Sequence, residues 1–211
     1  MSTQNGHKWF AAYWRRAVKF EAAALKQIRR DTVAGLSGRV LEIGCGNGAN
    51  FPFYPDTVSV LVAVDPDPYM LADARERGAG LSLETEGYET GADDLPFEDG
   101  SFDAVVSTLV LCSVPDLDAA LAEVKRVLKP GGEFRFLEHV RAKNRVGAWF
   151  QDVCTPAWKW VGAGCHPNRD TEAAIEKAGF KFREMRHRRL APPIPPLCLT
   201  RPAIHGTAVH G

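Results

Sequence analysis

The sequence has no run of 18 consecutive apolar residues, so no transmembrane helix is expected. Its first residues lack the apolar h-region of a secretory signal. Neither charge sign is in excess: 26 Lys and Arg face 26 Asp and Glu. The basic surplus of a nucleic-acid binder is missing, and no nucleic-acid partner is expected. The five cysteines, Cys45, Cys112, Cys154, Cys165 and Cys198, are odd in number and include no C-x-x-C spacing. That pattern indicates neither a disulfide framework nor a zinc motif, so no metal is expected. A reducing, cytoplasmic setting is the economical expectation. Repeats and long low-complexity tracts are also missing. The one compositional break is residues 191–197, which hold four prolines.

What is present suits one α/β domain with a single core: 211 residues, 45% apolar and 25% charged. The chain is organised around residues 39–50, RVLEIGCGNGAN. Val40, Leu41 and Ile43 read as a short buried strand, and Gly44, Gly46 and Gly48 follow at two-residue spacing. Such a loop lets backbone N–H groups approach a ligand that a Cβ would hold away. Cys45 lies inside it, where a small side chain is needed. Glu42 lies in the strand, and a buried carboxylate needs a partner. A bound cation or an N–H-rich loop would supply one. Asp65 ends the next apolar run, residues 58–64. In a doubly wound sheet that position faces a ribose. The glycine spacing differs from the dinucleotide fingerprint G-x-G-x-x-G, which disfavours a nicotinamide enzyme. Glycines and acid together favour a nucleoside-type cofactor over a ligand-free turn.

Residues 8–34 read as one or two helices, with Phe10, Tyr13, Trp14, Ala17, Phe20, Ala24 and Ile28 near helical spacing. The favoured reading is a helix packed on the domain with a solvated basic face. A sharper one is a lid, in which Trp9, Tyr13 and Trp14 cover the cofactor and line a substrate pocket. A helix lying on a membrane surface is a third, disfavoured reading. Residues 1–38 are thus taken as a helical extension and 39–211 as the main domain. Further strands are expected at 59–65, 81–88 (an edge strand), 102–109, 133–140, 180–190 and 202–210. Helices are expected at 67–77, capped by Gly78, and at 116–128. Residues 145–161 should be helical but broken by Pro156, and Asn168 or Asp170 should cap the next helix.

With those residues in view, the sequence resembles class I S-adenosylmethionine-dependent methyltransferases. Glu42 to Gly48 with Asp65, then Leu95, Pro96, Phe97 and the DGSFD of residues 99–103, then the LKPGG of 128–132, match that family's ordered motifs. GCGNGANFPFYP, TLVLCSV, FLEHV, PAW at 156–158, GCHPNRD and RPAIHGTAV resemble the thiol S-methyltransferase branch known from animal membrane-associated enzymes. The resemblance implies a Rossmann-like, seven-stranded, mostly parallel α/β sheet with helices on both faces and an antiparallel last strand. It implies S-adenosyl-L-methionine as cofactor, with S-adenosyl-L-homocysteine as product, and a small-molecule thiol as substrate. The implied cofactor residues are Glu42, Gly44, Cys45, Gly46, Gly48, Asp65, Pro66, Ala92, Asp93, Thr108 and Leu109.

Methyl transfer to sulfur is an in-line displacement at carbon, served by positioning and desolvation. No obligatory catalytic residue follows. A thiol with a pKa of about 8.5 is already a few per cent thiolate at pH 7. His139 is the candidate base or thiolate partner, favoured over His166 because Glu138-His139 matches the family's strand-end motif. Candidate substrate contacts are Trp9, Tyr13, Trp14, Trp149, Trp158, His166 and Ile194, whose apolar character suits a small hydrophobic thiol. Cys45 and Cys112 are expected to pack as small hydrophobes.

Overall fold

Alternating apolar runs and amphipathic helices build one sheet in this computed structural model, which describes residues 8–19, 21–191 and 197–210. Of residues 10, 13 and 17 it describes the backbone only. The strands are β1 (Gly38–Ile43), β2 (Val58–Val64), β3 (Glu84–Tyr88), β4 (Phe102–Thr108), β5 (Leu128–His139), β6 (Phe180–Arg189) and β7 (Pro202–His210). The helices are α1 (Lys8–Lys19), α2 (Ala23–Val33), α3 (Pro68–Ala79), α4 (Leu117–Val127), α5 (Arg145–Val161) and α6 (Thr171–Lys177). The sheet order is β3-β2-β1-β4-β5-β7-β6. Strands β1 to β5 pair in parallel, and β7 runs antiparallel between β5 and β6.

The central strands β1, β2 and β4 are almost continuously apolar because both of their faces are covered. Leu41, Ile43, Leu61, Val62, Val105 and Val106 are fully buried. One core cluster joins Ile43, Val105, Leu121, Phe134, Phe136 and Ile175; the other joins Val33, Val40, Leu61, Leu71 and Ala104. Burying a Leu or Phe side chain is worth roughly 1.5–3 kcal/mol, so these layers fix the strand order. The order reverses at β1/β4, and the loops after those strands are therefore brought side by side.

The 8–34 segment is two helices, one of the two arrangements expected; α2 buries Arg29, Thr32 and Val33 and is part of the domain's packing. Three local expectations are corrected. Helix α3 passes Gly78, which packs on Thr85, and is capped by Gly80. Strand β5 begins at Leu128, with the Lys129-to-Gly132 turn absorbed as a register shift against β4. Helix α5 runs through Pro156 unbroken. The proline removes one backbone hydrogen bond, but the preceding turn is pinned by the buried Gln151. Its side chain donates to the carbonyls of Val140, Pro167 and Leu199 and accepts from Ala142 N–H. Asp170 caps α6, accepting from Ala173 N–H at 3.1 Å.

Candidate active site

The glycine loop leaves β1 at its C-terminal end, where a ligand binds in this sheet type. Gly44 and Gly46 both take left-handed φ values, 56° and 54°, which L-residues adopt at a cost of about 1–2 kcal/mol. Their surroundings differ. A Cβ on Gly44 would fall 2.5 Å from the Val110 methyls, so this glycine serves packing between the β1 and β4 loops. A Cβ on Gly46 would meet nothing closer than Trp14 Nε1, 3.8 Å away. Gly46 is thus the open point of the loop, and α1 covers it.

Glu42 is buried. Its donors are side chains of the turn that follows and not the loop N–H groups that the sequence suggests. Asn50 Nδ2 donates to one carboxylate oxygen at 2.9 Å and Tyr54 Oη to the other at 2.8 Å. Asn50 also donates to Thr108 Oγ1 at 2.9 Å and accepts from Arg29 Nη1 at 3.0 Å. Arg29 in turn pairs with Glu21. A polar chain therefore runs from α2 through Asn50 to β1 and β4. Burial pushes the Glu42 carboxyl from 4.5 up to about 7, against the pull of Tyr54, Arg29 and Asn50. Asn50 and Tyr54 lie within the GCGNGANFPFYP stretch, but only the rule that a buried carboxylate requires donors points to them as partners of Glu42; Arg29 carries no motif signal. Thr108 is therefore tied into this network, and Cys45 is buried with its thiol directed at the Gly46 carbonyl.

Asp65 follows β2 directly. Its Oδ2 accepts from Gly46 N–H at 2.8 Å and its Oδ1 from Asp67 N–H at 2.9 Å. It thereby joins the glycine loop to the start of α3. Burial raises its carboxyl from 3.8 to about 6. Pro66 is half-buried beside it. Each oxygen keeps a second lone pair for a ligand hydroxyl. In the loop after β3, Ala92 is buried, Asp93 half-buried and Asp94 exposed, which favours Asp93 as that loop's site acid. Leu109 takes φ 62°, an unusual conformation for a branched residue. It is imposed by Glu138, which accepts from Ser107 Oγ at 2.6 Å and from the N–H groups of Val110 and Leu111 at about 3.0 Å. Glu138 is fully engaged in holding this loop.

His139 is half-buried at the end of β5. Its Nδ1 lies 3.6 Å from Cys112 Sγ and 3.8 Å from Cys165 Sγ. The loop carrying Cys165 is strapped over the β4 loop. His166 N–H donates to the Cys112 carbonyl at 2.7 Å, and Arg169 Nη1 donates to the carbonyls of Leu111 and Val114 at 2.7 Å each. The His166 ring is half-buried, and burial with nearby Arg169 and Lys159 lowers its pKa. Trp158 is half-buried near Cys165, and its indole N–H, after Cys112, helps hold that thiol below its usual pKa. Trp149 is 63% exposed and Trp9 54% exposed, so neither is enclosed in a pocket. The Tyr13 side chain and Ile194 lie outside the described residues. A surface hollow lined by Asp99, Lys125, Pro130 and Lys177 lies at the opposite, N-terminal ends of β4 and β5 and holds none of these residues.

The loop fits a nucleoside-type ligand on its own evidence. Gly46 is open, and Asn47 is buried with neither atom of its side-chain amide hydrogen-bonded. Residues 41–136 match a family model described as a methyltransferase domain. The chain is 41% identical over 184 residues to the human thiol S-methyltransferase TMT1A, covering 83% of this chain and 73% of that protein. It is also 41% identical over 170 residues to human TMT1B, covering 77% and 68%. A solved geranyl diphosphate methyltransferase in complex with S-adenosylmethionine superposes with a TM-score of 0.72 at 14% identity, covering 98% of this chain and 92% of that one. Sheet order, the open Gly46 beside Asp65 and these alignments converge: the chain belongs to the class I S-adenosylmethionine-dependent methyltransferases, with S-adenosylmethionine as its methyl donor.

Proposed function

We propose that this methyltransferase methylates the thiol of a small, fairly hydrophobic molecule, releasing a methyl thioether and S-adenosyl-L-homocysteine. The observation that carries the thiol assignment is the 41% identity to a human thiol S-methyltransferase across 83% of the chain. When bound, S-adenosylmethionine supplies a methyl carbon already activated by its sulfonium. The chain's own task is then to bind, orient and exclude water.

Asp65 accepts the ribose hydroxyls in this reading, and the loop from Gly44 to Gly48 lies along the rest of the cofactor. Ala92 and Asp93 flank the adenine. Glu42 acts one layer back, fixing Asn50 and Thr108 so that the β1 and β4 loops keep their spacing. Trp14 closes over Gly46 and shields the site. Trp158 of α5 and His166 of the strap, which is fastened to Cys112, border the acceptor side. His139 is the partner of the acceptor thiolate on this rim. A thiol needs little more than this, because stabilising its thiolate by one pKa unit is worth about 1.4 kcal/mol. A reducing, cytoplasmic setting, where free thiols persist, belongs to the same proposal.

The test is a matched acceptor panel with labelled S-adenosylmethionine: an aryl thiol, an alkyl thiol, and their hydroxyl and amino counterparts. Products are read by mass spectrometry. Methyl thioethers alone support the proposal. Methyl ethers or methylamines in their place overturn the acceptor assignment and leave the fold and cofactor standing.

A further inference from the structure

Three segments with no spacing signal between them bring soft ligand atoms to one point. Cys112 follows β4, His139 ends β5, and Cys165 lies in the strap after α5. Their Sγ, Nδ1 and Sγ atoms all lie within 4.8 Å of one another. The two sulfurs are 3.3 Å apart, and His139 Nδ1 is 3.6 and 3.8 Å from them. Both cysteines are buried, while His139 is half-buried on the rim.

The edges of this triangle suit a tetrahedral ion. With Zn–S near 2.3 Å and Zn–N near 2.0 Å, tetrahedral geometry separates S from N by about 3.6 Å and S from S by about 3.8 Å. The two S–N edges already match, and the sulfur pair has to part by about 0.5 Å. A disulfide is the other use of two close thiols, but it requires the sulfurs to close to about 2.05 Å and leaves the imidazole unexplained. The fold invests in this placement. The strap bends through Ala163 at φ 47° and Gly164 at φ 82°, and the non-glycine left-handed residue is costly. His166 and Arg169 then fasten the strap to the Cys112 loop. An outer contact to one sulfur is in place as well: Ser113 Oγ lies 3.6 Å from Cys112 Sγ. Such second contacts orient metal ligands and tune their basicity.

We propose that Cys112, His139 and Cys165 bind one zinc-class divalent cation, with a fourth position open on the His139 side to an exogenous thiolate. Three protein ligands and one open position are the arrangement of catalytic rather than structural zinc. On binding, the two cysteine thiols lose their protons to solvent, and two thiolates neutralise the dication in a buried setting. A thiol entering the fourth position also gives up its proton to solvent, so the ion together with its ligand His139 holds the acceptor as thiolate. The fourth-position half rests on the thiol reading above; the binding half does not.

The experiment uses the full chain, reduced and stripped with a chelator, then titrated with Co2+. One tightly bound cobalt per chain is expected, with thiolate-to-cobalt charge-transfer absorption and the intense visible bands of tetrahedral geometry. Competition with a chromophoric chelator should show zinc binding weakened at least about 100-fold in Cys112→Ser/Cys165→Ser. The control Cys154→Ser should match the parent. Retained S-adenosylmethionine binding by the double variant shows that it is folded. Absent cobalt bands, or equal bands in parent and double variant, overturn the site. So does ready air oxidation to a Cys112–Cys165 disulfide that zinc does not prevent. Addition of an aryl thiol should shift the cobalt spectrum. A cobalt spectrum indifferent to thiol removes the fourth-position half while the methylation panel still tests the thiol reading on its own.

Discussion

Asn50 Nδ2 sits 2.9 Å from a carboxylate oxygen of Glu42 and bridges it to Thr108. Through this one amide, the strand before the glycine loop is joined to the end of the strand that flanks it. The motif carboxylate therefore organises the site from behind. Glu42→Ala should leave Asn50 and Tyr54 donors buried without an acceptor, costing about 2–4 kcal/mol in denaturant unfolding. Glu42→Gln, which keeps an acceptor, should cost markedly less. Equal losses in the two variants would contradict the assignment.

Asp65→Ala should weaken S-adenosylmethionine binding by about 1–3 kcal/mol, roughly 5- to 150-fold, by calorimetric titration. An unchanged affinity in a folded variant would remove Asp65 from the cofactor site.

The same two carboxylates give a pH signature. Both have native pKa values raised by burial, Asp65 to about 6 and Glu42 to about 7. The native state thus binds their protons more tightly than the unfolded chain, and their contribution to stability falls as pH rises through 6 to 7. The cofactor-free protein should therefore gain stability from these groups as pH drops from about 7.5 toward 5. Cofactor affinity should move oppositely, falling below about pH 6 as Asp65 is protonated. Glu42→Gln should flatten the upper part of the stability curve, and Asp65→Asn the pH dependence of binding. Thermal unfolding and titration calorimetry across that range check both signs.

Gly44 and Gly46, two residues apart, should fail differently when substituted. Gly44→Ala drives a methyl into Val110 and should lower stability. Gly46→Val meets no such wall. Its left-handed φ of 54° should still cost at least about 1–2 kcal/mol of stability, without the added clash of Gly44→Ala, and cofactor affinity should fall by more than about tenfold. Trp14→Ala should speed cofactor dissociation by about tenfold with little change in melting temperature, as stopped-flow displacement would show. A reversed pattern for the two glycines would mean that the loop is not the cofactor cradle.

What the sequence made legible was local. The β1 run, the tight glycine turn after it and the Asp170 cap are short-range signals, and the structure has a strand, left-handed glycines and a helix N-cap at those positions. The partners of Glu42 lay 8 and 12 residues away on an irregular turn with no periodicity to read. Arg29 falls off the apolar spacing of residues 8–34 and so belongs by pattern to their solvated basic face, yet it is buried because Asn50 and Glu21 satisfy it. Cys112, His139 and Cys165 come together only through the β4–β5 pairing and the strap, so a search for C-x-x-C spacing had nothing to find. The local cost of Pro156 predicts a break, whereas Gln151's tertiary hydrogen bonds hold the helix across it.

One molecule bearing both a thiol and a phenol tests the central claim most directly, because both acceptors then share a single binding event. The purified chain, given such a mercaptophenol and S-adenosylmethionine, should return the methyl thioether with the phenol untouched. An aryl methyl ether as the main product would contradict the account.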